Sequence, residues 1–166
     1  MLAKQNPDLE GMIYLPYADW LSANDKFDEA QEAYKKADRP DLSLKIIEFL
    51  TQNAISEKRF QDAAQYYWLL STESLRLVQS LGSKATKDDK KHIANFKEYL
   101  SHAEIYQAYH LVNRYIDENG REIIQTPLFM ESAFNAARFL ANNLKAKTPQ
   151  GINLVFVYFT LSKLGY

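Results

Sequence analysis

Two stretches of this 166-residue chain carry the same helical pattern at a fixed distance from each other. The shared positions, each separated from its equivalent by 33 residues, are Phe27, Ala30, Tyr34, Phe60, Ala63 and Tyr67. Within each stretch the spacing of three and four residues places these side chains on one face of a helix. A helical unit repeated at this period is typical of a solenoid, so the pattern predicts an array of stacked helical hairpins.

The tetratricopeptide repeat, at about 34 residues, is the nearest type of helical repeat. The first unit fits its consensus of alternating small and large positions with Ala18, Leu21, Phe27, Ala30, Tyr34 and Ala37. The second unit keeps Phe60, Ala63 and Tyr67, but Thr51 and Leu70 are larger than the consensus. Small alanines let neighbouring helices approach closely. We therefore predict an all-α fold, a right-handed α-α superhelix of tetratricopeptide-like helical hairpins.

Proline and glycine punctuate the pattern and predict seven helices. Their expected bounds are residues 12–23, 27–37, 41–57, 60–81, 86–118, 127–144 and 149–163. Pro16 is expected near the start of the first helix or at a kink, because proline has no N–H to donate. Thr148-Pro149 predicts the start of the last helix. The run 154–161 has strand-like content, but the Thr-Pro start signal favours a helix over a strand.

Residues 1–166 are interpreted as one helical-repeat segment, a piece of a larger solenoid. Regular repeats are expected over residues 12–81 and a linker over 82–91, where the composition turns polar. Irregular helical pairs are expected over residues 92–166, because the repeat period breaks after residue 81. The linker is expected to be the most mobile internal segment.

Charge and composition argue against several function classes. The 20 basic and 21 acidic residues give a net charge of −1, without the basic surface expected for nucleic acid or an anionic membrane. The longest apolar run is far shorter than the ~20 residues of a membrane span, so no direct membrane insertion is expected. Cysteine is absent, which rules out disulfides and thiolate metal sites and suits a reducing compartment.

The sequence offers no constellation for catalysis, and we predict no catalytic, cofactor-binding or metal-binding residue. No small-molecule substrate is expected. His102 and His110 fall on one face of the long fifth helix, but eight residues separate them by about 12 Å along the axis. That distance is too large for two ligands of one ion. Tyr66, Tyr67 and Trp68 point in different directions on a helix, so they are interpreted as packing residues rather than a stacking platform.

Three stretches resemble the tetratricopeptide region of an intraflagellar transport complex A subunit, most closely its one-hundred-and-twenty-two-kilodalton member. They are residues 14–21 (YLPYADWL), 24–37 (NDKFDEAQEAYKKA) and 51–71 (TQNAISEKRFQDAAQYYWLLS). Residues 148–165 (TPQGINLVFVYFTLSKLG) are similar to a later helix of that family. The resemblance is weak over residues 82–125, and no contact is carried over to them.

The resemblance implies a non-enzymatic scaffold. Family members hold complex A together in cilia, for retrograde transport with cytoplasmic dynein and for admitting membrane-protein cargo. It implies that the partners are other complex A subunits, and that the location is the cilium and ciliary basal body, on the cytoplasmic side. It implies no cofactor and no catalytic residue.

A peptide-binding adaptor of the chaperone-clamp kind is an alternative from a different class. Its groove would use lysine and asparagine on the inner helices to hold a terminal carboxylate. The equivalent concave-face positions here are Leu15, Asp19, Glu48 and Gln52. Apolar and acidic side chains do not attract a carboxylate, so the scaffold interpretation is favoured. An α-helical enzyme is a third alternative, for which no convergent polar residues are found.

The last predicted helix is rich in large apolar side chains, including Phe156, Tyr158, Phe159 and Leu161. Burial on one side alone cannot accommodate all of them. We therefore expect weak self-association of the isolated chain through this helix, as an artefact of truncation without biological meaning.

Overall fold

The computed structural model describes residues 7–80, 87–118, 121–144 and 147–165, and in these ranges the fold is all-α. Seven α-helices follow in chain order: α1 (Pro7–Ala23), α2 (Phe27–Lys36), α3 (Pro40–Ser56), α4 (Phe60–Ser80), α5 (Lys87–Asp117), α6 (Pro127–Asn143) and α7 (Leu154–Leu164). A short 3-10 helix, Glu122–Gln125, precedes α6. The described ranges contain no strand, so the helical interpretation of residues 154–161 is confirmed.

The helices stack in sequence order. Each helix from α1 to α6 packs against the next helix in the chain, and α5 also contacts α7. Hairpins that stack only on their neighbours are the defining feature of a solenoid. The predicted fold class, a right-handed α-α superhelix of tetratricopeptide-like hairpins, is confirmed.

The turns that join the first four helices all use one backbone device. Asp25, Asp38 and Lys58 have φ of 59°, 56° and 60°, the left-handed region that residues other than glycine seldom enter. In each turn the next residue's N–H bonds to a carbonyl five residues earlier, at 2.8–2.9 Å. This bond closes the helix C-terminus in the manner of a Schellman motif. Asp25 and Lys58 are 33 residues apart, so the turn repeats with the same period as the side chains.

The predicted start of the first helix is wrong. The helix begins at Pro7 rather than residue 12, which leaves Pro16 inside it. Pro16 cannot donate to the carbonyl of Met12, and its ring crowds that turn, which normally destabilises a helix interior. The Met12 side chain lies on the exposed side of α1, so water can reach this part of the helix.

The predicted start of the last helix is also wrong, because Thr148-Pro149 does not begin it. Residues 147–153 form a turn and an extended segment, and α7 begins at Leu154 with Asn153 as its N-cap. The Asn153 side chain accepts from the Val155 N–H at 3.0 Å. Gly151 has φ of +80°, which is incompatible with a helix, and its α-carbon closely approaches Ile55 and Phe60. The close approach fixes this turn against the core.

The predicted linker, residues 82–91, is only partly described. Residues 82–86 lie outside the described ranges, and residues 87–91 are the first turns of α5. The expected mobility of this segment stays a prediction. The great length of α5, 31 residues, agrees with the sequence interpretation.

The buried side chains form two clusters. A smaller one joins α1 to α2 through Ala18, Leu21, Ala30, Ala33 and Tyr34. A larger one runs from α3 to α7 and contains Phe60, Ala63, Tyr106 and Leu140 among others. Ala18, Ala30 and Ala63 are completely buried, as expected at close helix contacts. The interior therefore consists of two clusters, and each contains small residues at the repeat positions.

An ion pair links the second helices of the two regular repeats. Lys35 Nζ on α2 lies 3.0 Å from Glu73 Oε1 on α4, and the two side chains are only 21% and 12% exposed. Arg76 also contacts Glu73, at 3.3 Å, and Glu32 contacts Lys35, at 3.3 Å. Removing the partner of a partly buried charge lowers stability more than removing the partner of an exposed charge.

We expect Glu73→Gln to lower the free energy of unfolding by about 1–2 kcal/mol, between the values for exposed and buried pairs. Urea denaturation followed by circular dichroism measures this. Glu32→Gln is the matched control, since Glu32 is mostly exposed, and should change stability by less than about 0.5 kcal/mol. Equal effects of the two substitutions would show that the ion pair between α2 and α4 stabilises the fold no more than an exposed ion pair does.

Some of the large apolar side chains of α7 pack against the core, and others are exposed. Phe156 and Leu161 pack against the larger core, whereas Val155, Tyr158 and Phe159 are exposed. Self-association through this helix stays a prediction, and the exposed side chains are the ones that would carry it. None of the helices in the described part of the chain combines the length and apolar character that a membrane span requires.

Candidate interaction surface

An open groove lies between α3, α4 and α5 and continues to the segment 147–150. It has two lobes of about 440 and 450 Å³. Gln52 and Tyr67 line both lobes, so the two lobes adjoin, and together we call them the central groove. One lobe adds Glu48, Phe49 and Leu70, and the other adds Glu98 and His102.

Aromatic rings form the floor of the central groove. The Tyr67 ring on α4 lies 5.0 Å from the His102 ring, 5.4 Å from Tyr106 and 6.3 Å from Tyr99, measured between centroids. These three partners lie on one face of α5, because they are three and four residues apart in the sequence. The rings of Tyr67, His102 and Tyr106 stack with interplanar angles of 28° or less. Stacked rings at these distances make a rigid floor.

Hydrogen bonds from tyrosines of α5 fix the walls of the groove. The Tyr99 hydroxyl donates to Glu48 Oε1 at 3.0 Å and so ties α5 to α3. The Tyr106 hydroxyl donates to the Gln150 carbonyl at 2.7 Å. One turn further, the Tyr109 hydroxyl accepts from the Asn153 N–H at 3.1 Å. Two tyrosines thus hold the extended segment before α7 in place.

Two carboxylates set the electrostatics of the floor. Burial raises the pKa of Tyr67, and the charges of Glu98 and Glu48 raise it further. The pKa of Tyr99 is raised to about 12. Burial is the largest cause, followed by the charge of Glu48, the hydrogen bond to Glu48 and the charge of Glu98. Glu48 and Glu98 thus place negative charge near both tyrosine hydroxyls.

The raised pKa of Tyr99 makes stability depend on pH. Between pH 10 and about 12 the unfolded chain loses the Tyr99 proton while the folded chain keeps it. The folded state then binds more protons, so the free energy of unfolding falls as pH rises through this window. We expect Tyr99→Phe to weaken this fall, as measured by urea unfolding at several values on either side of pH 10. An unchanged slope in the variant would contradict the assignment.

The structure places the nine predicted repeat positions in three environments. Seven are buried in the interior, namely Ala18, Leu21, Ala30, Tyr34, Ala37, Phe60 and Ala63. Phe27 is half-buried against the exposed Phe49, with centroids 5.3 Å apart. Tyr67 is half-buried and forms the groove floor. The equivalent aromatic positions therefore differ, because Tyr34 donates to Asp19 at 2.6 Å whereas Tyr67 faces the groove.

Only two of the four predicted concave-face residues line the central groove. Glu48 and Gln52 lie on its α3 side. Leu15 packs against the smaller core, and Asp19 accepts the Tyr34 hydroxyl, so neither reaches this groove. The carboxylate of Glu48 stands where a chaperone-type clamp needs lysine or asparagine, which disfavours that alternative.

Sequence reasoning missed Tyr99, Glu98 and His102 as groove residues. The available signal was their spacing with Tyr106 on one face of α5. Trp68, interpreted as a packing residue, is 58% exposed instead, while its neighbours Tyr66 and Tyr67 do pack against the larger core. Among the described residues no three histidine, cysteine, aspartate or glutamate side chains are grouped closely enough to hold a metal ion.

Comparison with known proteins gives one consistent result. A family model described as "IFT122, TPR domain" matches residues 1–156. The chain is similar to "Intraflagellar transport protein 122 homolog" of Homo sapiens, with 39% identity over 162 residues, and of Xenopus tropicalis, with 40% over 162 residues. The homolog of Danio rerio is 36% identical over 166 residues. Each match covers 98% of this chain, which spans 12–13% of the length of these relatives.

Proposed function

The chain belongs to the family described as "IFT122, TPR domain", and on that basis we propose that it is a non-enzymatic scaffold segment of intraflagellar transport complex A. In this role it mediates protein–protein interactions with other subunits of the complex. The complex serves retrograde transport in cilia and the ciliary admission of membrane-protein cargo. The proposed location is the cilium and ciliary basal body, on the cytoplasmic side.

One observation carries the scaffold proposal, namely exposed aromatic side chains on four different helices of a stacked array. They are Trp20 on α1, Phe49 on α3, Trp68 on α4 and Tyr158 on α7, each 48–58% exposed. Large aromatic side chains are enriched in the buried centres of protein interfaces. A rigid array that holds them at separate sites suits a protein that contacts several partners at once.

The names of the relatives support the same role, since each is called an intraflagellar transport protein. The tetratricopeptide architecture supports it because stacked hairpins present extended surfaces to other proteins.

Affinity purification of the tagged full-length protein, read by mass spectrometry, tests the proposal. We expect deletion of this segment to remove one or more complex A subunits from the purified material. The double substitution Phe49→Glu and Trp68→Glu should weaken the same capture, because it adds charge at an interface centre. Gln65→Glu on the exposed side of α4 is the matched control and should retain every subunit. Capture of an unchanged set of subunits by the deletion protein would contradict the scaffold role.

A further inference from the structure

The central groove combines features that select one kind of ligand. Its floor consists of the rings of Tyr67, Tyr99 and His102, and two carboxylates, Glu48 and Glu98, act on it. Both carboxylates belong to exposed residues. Glu98 forms no ion pair with any described residue, and Glu48 is bound only by the neutral Tyr99 hydroxyl. The negative charge of the groove is therefore not neutralised from within.

Two polar atoms at the floor can accept a hydrogen bond. His102 Nδ1 lies 2.8 Å from the Glu98 carbonyl, and because a carbonyl can only accept, Nδ1 carries the proton. In the neutral ring Nε2 is then an acceptor. The Tyr67 hydroxyl makes no hydrogen bond with the described residues, so its oxygen can also accept. Acceptors beside aromatic rings call for a cationic donor that can lie flat on a ring.

Two lysines border the groove without supplying that cation. Lys45 lines only the lobe with Glu48, and Lys147 only the lobe with Glu98, whereas Tyr67 lines both. Neither lysine forms an ion pair with a described residue or is among the causes of the tyrosine pKa shifts. The place between Glu48 and Glu98 is thus left for a charge from outside the chain.

We propose that the central groove binds an arginine side chain from an extended basic segment of a partner protein. The guanidinium lies over the Tyr67 and His102 rings, and its N–H groups donate to the Glu48 and Glu98 carboxylates. Phe49 and Leu70, which line the Glu48 lobe, contact an apolar neighbour of that arginine. This inference rests on the proposed scaffold function, since it names the chemistry by which one partner is recognised.

Peptide binding to the 166-residue chain tests the proposal. The probe is a short blocked peptide of glycine and serine with leucine–arginine–leucine at its centre, followed by fluorescence anisotropy. The matched peptide carries citrulline, which has nearly the same shape but no charge. We expect the citrulline peptide to bind at least about tenfold more weakly, the effect of losing charge-assisted hydrogen bonds.

Variants of the chain locate the binding. The double substitution Glu48→Gln and Glu98→Gln should weaken arginine-peptide binding by about tenfold or more while the thermal unfolding temperature stays near that of the wild type. Glu104→Gln, an exposed residue of α5 outside the groove, is the matched control and should bind as the wild type does. In nuclear magnetic resonance spectra the arginine peptide should shift the amide signals of Tyr99 and His102.

Several results would overturn the proposal. They are equal binding of the two peptides, undiminished binding to the double glutamine variant, an equal loss in Glu104→Gln, or no saturable binding at all. Failure of the scaffold function is a separate result, since it appears as unchanged subunit capture when the segment is deleted from the full-length protein. Loss of subunits on deletion together with no arginine-peptide binding would remove the groove proposal and leave the scaffold function standing.

Discussion

Replacing Ala63 with tryptophan will lower the free energy of unfolding by about 3 kcal/mol or more. Ala63 is completely buried in the larger core, on the helix that packs most closely against α5. Protein interiors are close-packed, so an indole ring can enter only if helices separate or side chains leave their preferred rotamers. The equivalent substitution in the first repeat, Ala30→Trp, should act in the same way on the smaller core.

Thermal and urea denaturation followed by circular dichroism measure these effects. Gln65→Trp on the exposed side of α4 is the matched control, and it should alter stability by less than about 0.5 kcal/mol. An Ala63→Trp protein that melts at the wild-type temperature would show that the close helix contact at this alanine does not exist.

Tyr106→Ala will cost about 3–5 kcal/mol, because it removes a buried aromatic ring and leaves a cavity. The Tyr106 ring is 1% exposed and stacks between Tyr67, at 5.4 Å, and Phe60, at 6.3 Å. Its hydroxyl also binds the Gln150 carbonyl and holds the segment before α7. Loss of the ring therefore affects the core, the groove floor and the docking of α7 together.

Tyr106→Phe separates the ring from the hydroxyl. The phenylalanine variant keeps the stacking and loses one hydrogen bond, so we expect a cost of about 1 kcal/mol. The comparison uses urea denaturation, with near-ultraviolet circular dichroism to report the aromatic packing. Equal losses in the two variants would mean that the hydroxyl, and not the stacked ring, stabilises this region.

The fold could be predicted from the sequence where small and large residues repeat at a constant period. Ala30 and Ala63 mark close contacts, and Tyr34 and Tyr67 mark the neighbouring large positions, so the hairpins and their stacking followed from spacing. Pro127 begins α6 as expected, because proline suits the first turn of a helix. Such local rules hold when nothing distant in the chain competes with them.

The predicted start of a helix was wrong where contacts with distant parts of the chain compete with the local signal. Pro149 has the same Thr-Pro signal as Pro127, yet the Tyr106 and Tyr109 hydroxyls bind the backbone after it and Gly151 turns the chain. Pro16 is retained inside α1, contrary to its usual helix-breaking effect. The turn after Pro149 depends on these distant contacts and not on the residues next to the proline, so local reasoning could not anticipate it.

The candidate groove could be predicted only in part. Glu48 and Gln52 follow from repeat geometry, because they occupy the inner side of a first helix in a repeat. Tyr99 and His102 lie on α5, beyond the regular period, and only the three-dimensional packing of α5 on α4 brings them to Tyr67. Leu15 and Asp19 are held elsewhere by contacts within the first repeat.

Hydroxyl-radical footprinting most directly tests whether this array serves as an interaction scaffold. It compares side-chain oxidation in the purified 166-residue chain and in the full-length protein within its assembled complex. In the purified chain Trp20, Trp68 and Tyr158 should oxidise readily, since they are 54%, 58% and 57% exposed. We expect oxidation of at least one of them to fall sharply in the complex, because a partner covers it. Equal oxidation of all three in both samples would contradict the scaffold role.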